Sequence, residues 1–152
     1  MNTKSSPGLL LIKDVSQRNA AIELLKQNNL PVSDLDENKD LYALVEDQNI
    51  IATGGLEFFG DCALLRSVSV KKEEQGRGWG KIINGELEIV AKNKGVNCLY
   101  LLTTTAKDFF NKEGYIVVNR DEVPEPIKNS SEFSSVCPST AIVMKKEIAA
   151  YE

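Results

Sequence analysis

The segment best suited to chemistry is a glycine-rich run at residues 75–80, between a strand-like stretch ending at Val70 and a long helix-like one. Glycines let the backbone approach a ligand with its N–H groups facing outward, and a helix N-terminus favours an anion. We therefore expect the run to hold a pyrophosphate, with Arg77 adding a charge-assisted contact. The glycines alone leave an empty strand-to-helix turn equally open. The residues concerned are Gln75, Gly76, Arg77, Gly78, Trp79 and Gly80.

Two better-known phosphate motifs do not fit this run. A Walker loop needs Gly-Lys followed by Ser or Thr, whereas Gly80-Lys81 is followed by Ile82. A dinucleotide-binding fingerprint needs its third glycine three positions after the second, whereas Gly76, Gly78 and Gly80 alternate. Another kind of pyrophosphate site has to be considered.

Composition narrows the remaining function classes. The 152 residues carry a net charge of −4, are 42% hydrophobic, and include three cysteines and no histidine. With no basic excess, we expect no nucleic-acid or membrane partner. Without histidine or paired cysteines, we expect no metal site and a reduced, cytoplasmic protein. Residues 1–7 are predicted to be a flexible N-terminus, too short for a signal peptide, and residues 8–148 one domain; a homodimer is left open.

The order of elements follows from apolar periodicity. Strands are expected at residues 9–12, 41–45, 50–59, 64–70, 98–102, 115–118 and 140–144. Ser16 offers an N-cap for a first helix, a second helix runs over residues 78–94, and a short one over 106–112. Pro124 and Pro126 indicate a loop. The pattern predicts one mixed α/β domain.

At this point a resemblance becomes visible. Gln75, Gly78 and Gly80 match the acetyl-CoA motif Q/R-x-x-G-x-G/A of the GNAT acetyltransferases. Downstream residues resemble that superfamily's second motif, N-x-x-A-x-x-x-Y-x-K-x-G-F, at Ala106, Lys112, Gly114 and Tyr115. The resemblance implies a GNAT-like α/β fold: one mixed, mostly antiparallel sheet with two central parallel, splayed strands flanked by helices. It also implies an N-acetyltransferase that uses acetyl-CoA.

A narrower resemblance rests on residues 64–68, residues 101–106 and the late segment between Glu132 and Ala141. These resemble the small GNAT branch associated with arsenic-resistance genes. The branch implies an amino-acid-like acceptor, such as an arsenical or phosphinic compound.

The resemblance assigns expected roles on the donor side. Val68 and Val70 would pair their backbone with pantetheine, and the Val70 N–H would polarise the thioester carbonyl. Residues 75–80 would hold the pyrophosphate, and Thr103 stands where the family often has a pantetheine-contacting Asn. Phe109 and Phe110 would flank the cofactor, with packing as the alternative for one of them. Trp79 is expected to pack at the helix start.

The proton transfers require separate consideration. Phe110 stands where many members carry a tyrosine that protonates the departing thiolate, so we expect solvent, or Tyr115 if it reaches, to supply that proton late. A thiol pKa near 8.5 makes coenzyme A a fair leaving group without such an acid. Glu57 is our candidate base, because it lies on the strand before the cofactor strand, where the resemblance implies such a carboxylate. Its apolar neighbours would raise the pKa of its carboxyl. A solvated outer-face glutamate is the alternative.

Two further residues are candidates for binding the acceptor. Arg66 shares strand parity with Val68 and Val70 by residue number, an unusual place for a guanidinium, and would pair with a substrate carboxylate or with an internal acid. Cys137, beside Pro138, would line the acceptor pocket or act as a small buried hydrophobe. With no histidine to activate it, direct transfer is favoured over a covalent cysteine intermediate.

Two rival functions remain open at this stage. A protein acetyltransferase would modify an N-terminus or a lysine, and the acidic balance would suit a basic peptide. A non-catalytic coenzyme-A-binding sensor would bind the cofactor without turnover, in keeping with the missing tyrosine and histidine.

Overall fold

The computed structural model describes residues 8–30, 32, 33, 35, 39–130, 133 and 141–148. Within these residues no helix is both long and apolar enough to cross a membrane.

The described residues form seven strands and four α-helices. In chain order they are β1 Gly8–Leu11, α1 Val15–Gln27, β2 Asp40–Glu46, β3 Asn49–Phe59, β4 Cys62–Val70, α2 Trp79–Asn93, β5 Cys98–Thr103, α3 Lys107–Lys112, β6 Ile116–Val117, α4 Glu125–Lys128 and β7 Ile142–Glu147. Two 3₁₀ turns lie at Lys72–Glu74 and Arg120–Glu122.

The strands form one sheet in the order β1-β2-β3-β4-β5-β7-β6. Neighbours are antiparallel throughout, except for β4 and β5, which are parallel and joined by the crossover helix α2. The predicted fold class, a mixed and mostly antiparallel sheet with one central parallel pair, is confirmed.

Helix α2 covers one face of the sheet. Its buried residues Ile83, Leu87 and Ala91 recur at helical spacing and join Leu56, Leu65 and other strand residues in the main core. Gly54 on β3 lies directly beneath Leu87, so the helix approaches β3 more closely than a side chain there would allow. The apolar helix face predicted from the sequence is confirmed.

The opposite face is covered in two places. Helix α1 buries Ala21 near Ile12, Leu41 and Ala43. Around α4, Ile127 packs with residues of β4, β5 and β7, including Leu64, Tyr100 and Val143. The sheet therefore lies between two helical layers, as expected for a mixed α/β domain.

Two local predictions are wrong. Helix α1 is capped by Asp14 and not by Ser16, because the Asp14 carboxylate accepts a hydrogen bond from the Gln17 N–H at 3.1 Å. The segment at Pro124 and Pro126 is not only loop, since it contains the one-turn helix α4. Pro126 lies within the first turn of that helix, where its missing N–H costs no hydrogen bond.

Candidate active site

Strands β4 and β5 separate along their length. They pair only at Cys62 with Cys98, Ala63 with Leu99, and Leu64 with Tyr100. Beyond that point they diverge, and a cleft of about 780 Å³ opens between them. We call residues 62–64 the paired half of β4 and residues 65–70 its open half.

A bulge reorients the open half. Ser67 adopts a left-handed φ of 59°, and the β3–β4 register shifts opposite it, between Thr53 and Gly55. The Thr53 hydroxyl donates a hydrogen bond to the Ser67 carbonyl at 2.9 Å and holds the bulge. An extra residue in one strand reverses the alternation of side chains beyond it.

The bulge overturns the parity argument for Arg66. Val68 and Val70 pack with the α2-side core, whereas Arg66 lies on the opposite face. There its side chain passes Gly55, and its Nη1 pairs with Glu57 Oε1 at 3.1 Å.

The backbone of Val70 faces the cleft. Lys71, the next residue, donates its N–H to the Ile51 carbonyl of β3 at 2.8 Å. Because successive strand residues direct their backbone groups to opposite sides, the N–H and C=O of Val70 point away from β3. The carbonyl accepts side-chain amide hydrogen bonds from Asn28 at 2.9 Å and from Gln75 at 3.0 Å.

The N-terminus of α2 lies at the mouth of this cleft and has no side-chain cap. Its N-cap, Gly78, has a left-handed φ of 87°, and no acidic residue lies in the first turn. The first intrahelical bond runs from Ile82 N–H to the Gly78 carbonyl, so the N–H groups of residues 79–81 have no intrahelical partner. Unlike α1, this helix end is arranged to receive an anion.

Most of the predicted cofactor-binding residues lie on this cleft. The described lining includes Val68, Val70, Gln75, Gly80, Thr103, Phe109 and Phe110. Gly76, Arg77, Gly78 and Trp79 are not among the lining residues, although they belong to the loop and helix start beside it.

Several of these side chains already have partners within the protein. The Gln75 amide secures the loop to β4 through Val70, and Arg77 pairs with Glu74 at 3.4 Å. The Thr103 hydroxyl accepts a hydrogen bond from the Ala106 N–H at 2.9 Å, just before α3. Trp79 packs against the main core, and its buried indole N–H has no hydrogen-bond partner among the described residues.

Of the three aromatic residues considered for the site, Phe109 and Phe110 line the cleft and Tyr115 does not. Phe109 lies beside Gly80, where a Cβ would come within 3.3 Å of its ring, and meets Phe110 edge-on with centroids 5.0 Å apart. Phe110 is buried and packs in turn on Tyr115. The Tyr115 hydroxyl donates to Asn84 and Glu88 of α2 and does not line the cleft. Burial, reinforced by Glu88, raises the pKa of Tyr115 well above its usual value. Tyr115 therefore does not reach the site.

The predicted base and the predicted substrate residue form a pair with each other. The side chains of Arg66 and Glu57 are 1% and 13% exposed. Arg66 contributes to the cleft lining, whereas Glu57 does not. The internal ion pair accounts for a buried guanidinium at this place.

The charge of the cleft has one sign. Among its described lining residues the permanently charged side chains are Arg66 and Lys72, and none is a carboxylate. The described part of the chain also contains no group of three or more His, Cys, Asp or Glu residues arranged to hold a metal ion. Because Arg66 is already paired with Glu57, Lys72 is the cation of this described lining that remains for an anionic ligand.

Two residues of the cleft are not among the candidates from the sequence, and one candidate lies outside the described residues. Asn28, just after α1, and Ser69 both line the cleft and are bonded to one another. A polar residue after the last helical turn is the only sequence signal for Asn28. Cys137 lies outside the described residues.

The sequence profile of the Acetyltransferase (GNAT) family matches residues 12–115, about two thirds of the chain. The chain belongs to the GNAT acetyltransferase family. The match extends from the start of α1 to Tyr115 and includes both strands of the cleft and the loop before α2.

Individual GNAT relatives are distant. The amino-acid acetyltransferase of Neisseria meningitidis is 26% identical over 84 residues, which cover 54% of this chain and 19% of that protein. The chain thus spans about a fifth of the length of this curated relative.

Two solved structures share the fold of this chain. N-acetylglutamate synthase from Neisseria gonorrhoeae, complexed with coenzyme A and N-acetyl-glutamate, superposes with a TM-score of 0.79 at 16% identity, over 97% of this chain and 36% of that one. The ribosomal-protein-S18-alanine N-acetyltransferase of Escherichia coli gives a TM-score of 0.71 at 16% identity, over 95% and 96%. At such identities the likeness concerns the fold alone.

Proposed function

We propose that the protein is an acetyl-CoA-dependent N-acetyltransferase that transfers the acetyl group directly to the amine of a small, amino-acid-like acceptor. The observation that carries the proposal is the cleft beside the open half of β4. A backbone N–H faces this cleft, and an uncapped helix N-terminus lies at its mouth. Acetyl-CoA consists of a thioester arm linked to a pyrophosphate. The backbone N–H suits the thioester, and the helix N-terminus suits the pyrophosphate.

On the donor side the backbone supplies most of the contacts. The N–H groups of residues 76–81, at the N-terminus of α2, would bind the pyrophosphate, with Arg77 and Lys72 beside it; the Gln75 N–H is already bonded to the Lys72 carbonyl. Val68 and Val70 would pair with the pantetheine arm along the edge that β5 leaves unpaired. The Val70 N–H would donate to the thioester oxygen, where negative charge develops during attack.

The transfer itself needs one proton removed and one electron pair accepted. The neutral amine nitrogen attacks the thioester carbon, the carbon–sulfur bond breaks, and the sulfur leaves as a thiolate. With a leaving thiol of pKa near 8.5, the thiolate needs no acid in the protein. Phe110 has no hydroxyl to donate, and the Tyr115 hydroxyl is bonded to α2 away from the cleft. Both observations are consistent with a thiolate that leaves without an acid from the protein.

Two protons leave the acceptor nitrogen, one from its ammonium form before attack and one from the attacking nitrogen as it becomes an amide, and both would leave through water. Glu57 remains our candidate base, acting through a water chain, because its carboxylate lies behind Arg66 and not on the cleft. The variant Glu57→Gln tests whether this carboxylate is the base or has only a structural role beside Arg66. A large loss of turnover with acetyl-CoA binding retained supports the base, and near-normal turnover rejects it.

The amino-acid-like acceptor is supported by two observations. None of the described lining residues is a carboxylate, so an acceptor that carries a carboxylate meets no like charge on the cleft wall. The curated relative and the gonococcal neighbour are both named for amino-acid acetylation. The sequence resemblance to the arsenic-associated branch adds arsenical and phosphinic amino-acid analogues as candidate acceptors.

A protein acceptor is the second candidate, because the Escherichia coli neighbour is named for acetylating the alanine of a ribosomal protein. A protein acceptor would present its N-terminal amine without a nearby carboxylate. Amino acids and N-terminal peptides therefore distinguish the two candidates.

The test has two steps. Acetyl-CoA should raise the melting temperature by binding the folded state and should change the fluorescence of Trp79, the single tryptophan, next to the proposed phosphate site. Thiol release is then followed with amino acids, phosphinothricin-like compounds, basic peptides and amines without a carboxylate. Turnover concentrated on amino acids supports the proposal. Turnover on peptides alone favours the second candidate, stabilisation without turnover favours a sensor, and no response to acetyl-CoA rejects all three.

A further inference from the structure

The end of α1 is fastened to the open half of β4. Asn28, the residue after the last helical turn, donates from its side-chain nitrogen to the Val70 carbonyl at 2.9 Å and to the Ser69 hydroxyl. All three residues line the cleft. One amide thus contacts two successive residues at the place where β4 has lost its neighbour on one side.

The partners fix the direction of each hydrogen bond. A backbone carbonyl can only accept, so the Asn28 atom facing Val70 must be the NH₂ group and not the amide oxygen. Its second hydrogen is directed at Ser69 Oγ, which therefore acts as the acceptor. A hydroxyl that accepts one bond still has its own proton to donate elsewhere.

The surroundings limit where that proton can go. Ser69 is buried and directs its side chain away from the α2-side core, towards the face that carries Arg66. Asn28 already bonds to this oxygen, and both residues line the cleft. The Ser69 hydroxyl therefore keeps a proton to donate on a cleft whose described lining contains no carboxylate.

We propose that Asn28 is a positioning residue that fixes the Ser69 hydroxyl as a hydrogen-bond donor to the carboxylate of the acceptor. The inference rests on the proposed function and adds a specificity determinant to it. An ionised oxygen is the strongest available partner for such a donor, since charge-assisted hydrogen bonds are about twice as strong as neutral ones. The same donor gives no advantage to an amine that lacks a carboxylate.

The first experiment measures kcat and KM for a substrate pair. The full-length protein is assayed with the best amino-acid acceptor and with the matching amine that lacks its carboxyl group. Ser69→Ala should raise KM for the amino acid about tenfold or more, with a smaller change in kcat, because a hydrogen bond to a charged group is lost. KM for the decarboxylated amine should stay within about twofold, and Ser69→Thr, which retains the hydroxyl, should recover most of the amino-acid affinity.

The second experiment places Asn28 upstream of Ser69. Asn28→Asp keeps the shape of the side chain but removes both donated bonds, and should raise KM for the amino acid in the same way. Asn28→Ala should raise KM in the wild-type background and add less than about twofold in the Ser69→Ala background, as expected for residues that act through one contact.

A neighbouring residue provides the charge control. Asn29 has a left-handed φ of 63°, which Asp tolerates, and makes no hydrogen bond to β4. Asn29→Asp adds the same negative charge at the edge of the cleft without removing a donor. Its effect on KM should be clearly smaller than that of Asn28→Asp, and equal effects would reject the hydrogen-bond account.

The outcomes separate this inference from the proposed function. If the wild type acetylates no amine, the proposed function fails. If it acetylates amino acids but Ser69→Ala weakens both members of the substrate pair equally, or if the Asn28 and Ser69 effects simply add, the positioning role is rejected. Melting curves and acetyl-CoA titrations of each variant identify any that fail to fold, and the Ser69→Ala and Ser69→Thr pair decides the donor role without an Asn28 variant.

Discussion

The two halves of β4 differ in what completes their hydrogen bonding. The paired half is bonded to β3 on one side and β5 on the other, and its Ala63 and Leu64 side chains are completely buried. The open half keeps β3 but has lost β5, so one set of its backbone groups faces a cleft. Within a few residues, a strand that is bonded on both sides thus becomes an edge that opens onto a cleft.

The open half keeps its shape because other groups replace the missing strand. The Ser67 bulge is held by Thr53, and the Val70 carbonyl is bonded by Asn28 and Gln75. Exposed strand edges are otherwise prone to unwanted pairing. In this molecule side-chain amides satisfy a carbonyl and leave the adjacent N–H available for a ligand.

The sharpest test of this difference is a pair of proline variants. Leu64→Pro removes an N–H from the paired half, where both neighbouring strands are bonded, and should cost about 3 kcal/mol or more of folding free energy. Val70→Pro removes an N–H that has no partner in the sheet, so the protein should stay folded. Turnover should nevertheless fall about 100-fold or more, as for loss of an oxyanion-hole donor. Urea unfolding and thiol release measure the two effects.

Two outcomes would contradict the assignment. If Val70→Pro unfolds the protein as readily as Leu64→Pro, the open half is structural. If it folds, binds acetyl-CoA and retains turnover, the Val70 N–H has no catalytic role.

Two glycines, one at the N-cap of α2 and one within the helix, test the phosphate end of the open half. Gly78 has a left-handed φ of 87° at the N-cap, whereas Gly85 lies within the helix with nothing near its Cβ position. Gly78→Ala should weaken acetyl-CoA binding about tenfold, because the free loop would relax from the left-handed conformation and would have to regain it on binding, at a cost of about 1–2 kcal/mol. Gly85→Ala should leave binding unchanged and stabilise the helix by about 0.5–1 kcal/mol. Fluorescence titration and melting curves measure both, and equal binding losses would argue against the loop as the phosphate site.

The Tyr115 hydroxyl offers a smaller effect away from the cleft. It contacts Asn84 and Glu88, so Tyr115→Phe should reduce folding stability by about 1 kcal/mol. Turnover should change by less than about twofold, since this hydroxyl does not line the cleft. Stability is measured by urea unfolding and turnover by thiol release. A large fall in kcat with stability intact would show that Tyr115 delivers the thiolate proton.

The smallest expected effect comes from Cys62, in the paired half of β4, and concerns how folding stability depends on pH. Burial, with smaller contributions from Cys98 and Asp61, raises the pKa of the Cys62 thiol to about 11. The folded thiol stays protonated at pH 8–10 while the unfolded one, with a pKa near 8.5, ionises. The unfolded state then binds fewer protons, so stability should fall as the pH rises through this range, and Cys62→Ala should flatten the slope. An unchanged slope in urea unfolding would show that Cys62 does not contribute.

Sequence periodicity predicts much of this fold because local pattern and tertiary packing agree. Helix α2 buries the residues expected from its spacing, and the strand–loop–helix order around residues 64–94 follows the pattern. Most of the predicted cofactor-binding residues lie on one cleft for the same reason, since they belong to consecutive elements that share an end of the sheet.

The errors arise where one residue changes the geometry of its neighbours. No sequence signal indicates that Ser67 adopts a left-handed conformation, and this bulge moves Arg66 to the opposite face, beside Glu57. Asn28 is more than 40 residues from Ser69 and Val70, and its position depends on where α1 ends against the sheet. Such long-range side-chain contacts are set by tertiary packing and not by local periodicity.

The account is tested most directly by following backbone amide resonances while acetyl-CoA is added to ¹⁵N-labelled protein. We expect the largest shifts at the amides of Val68, Val70 and residues 76–81, and almost none at Leu64 in the paired half. Saturable shifts with this distribution would place the donor along the open half of β4. Binding that instead moves residues elsewhere and leaves Val70 unchanged would contradict the assignment of the cleft.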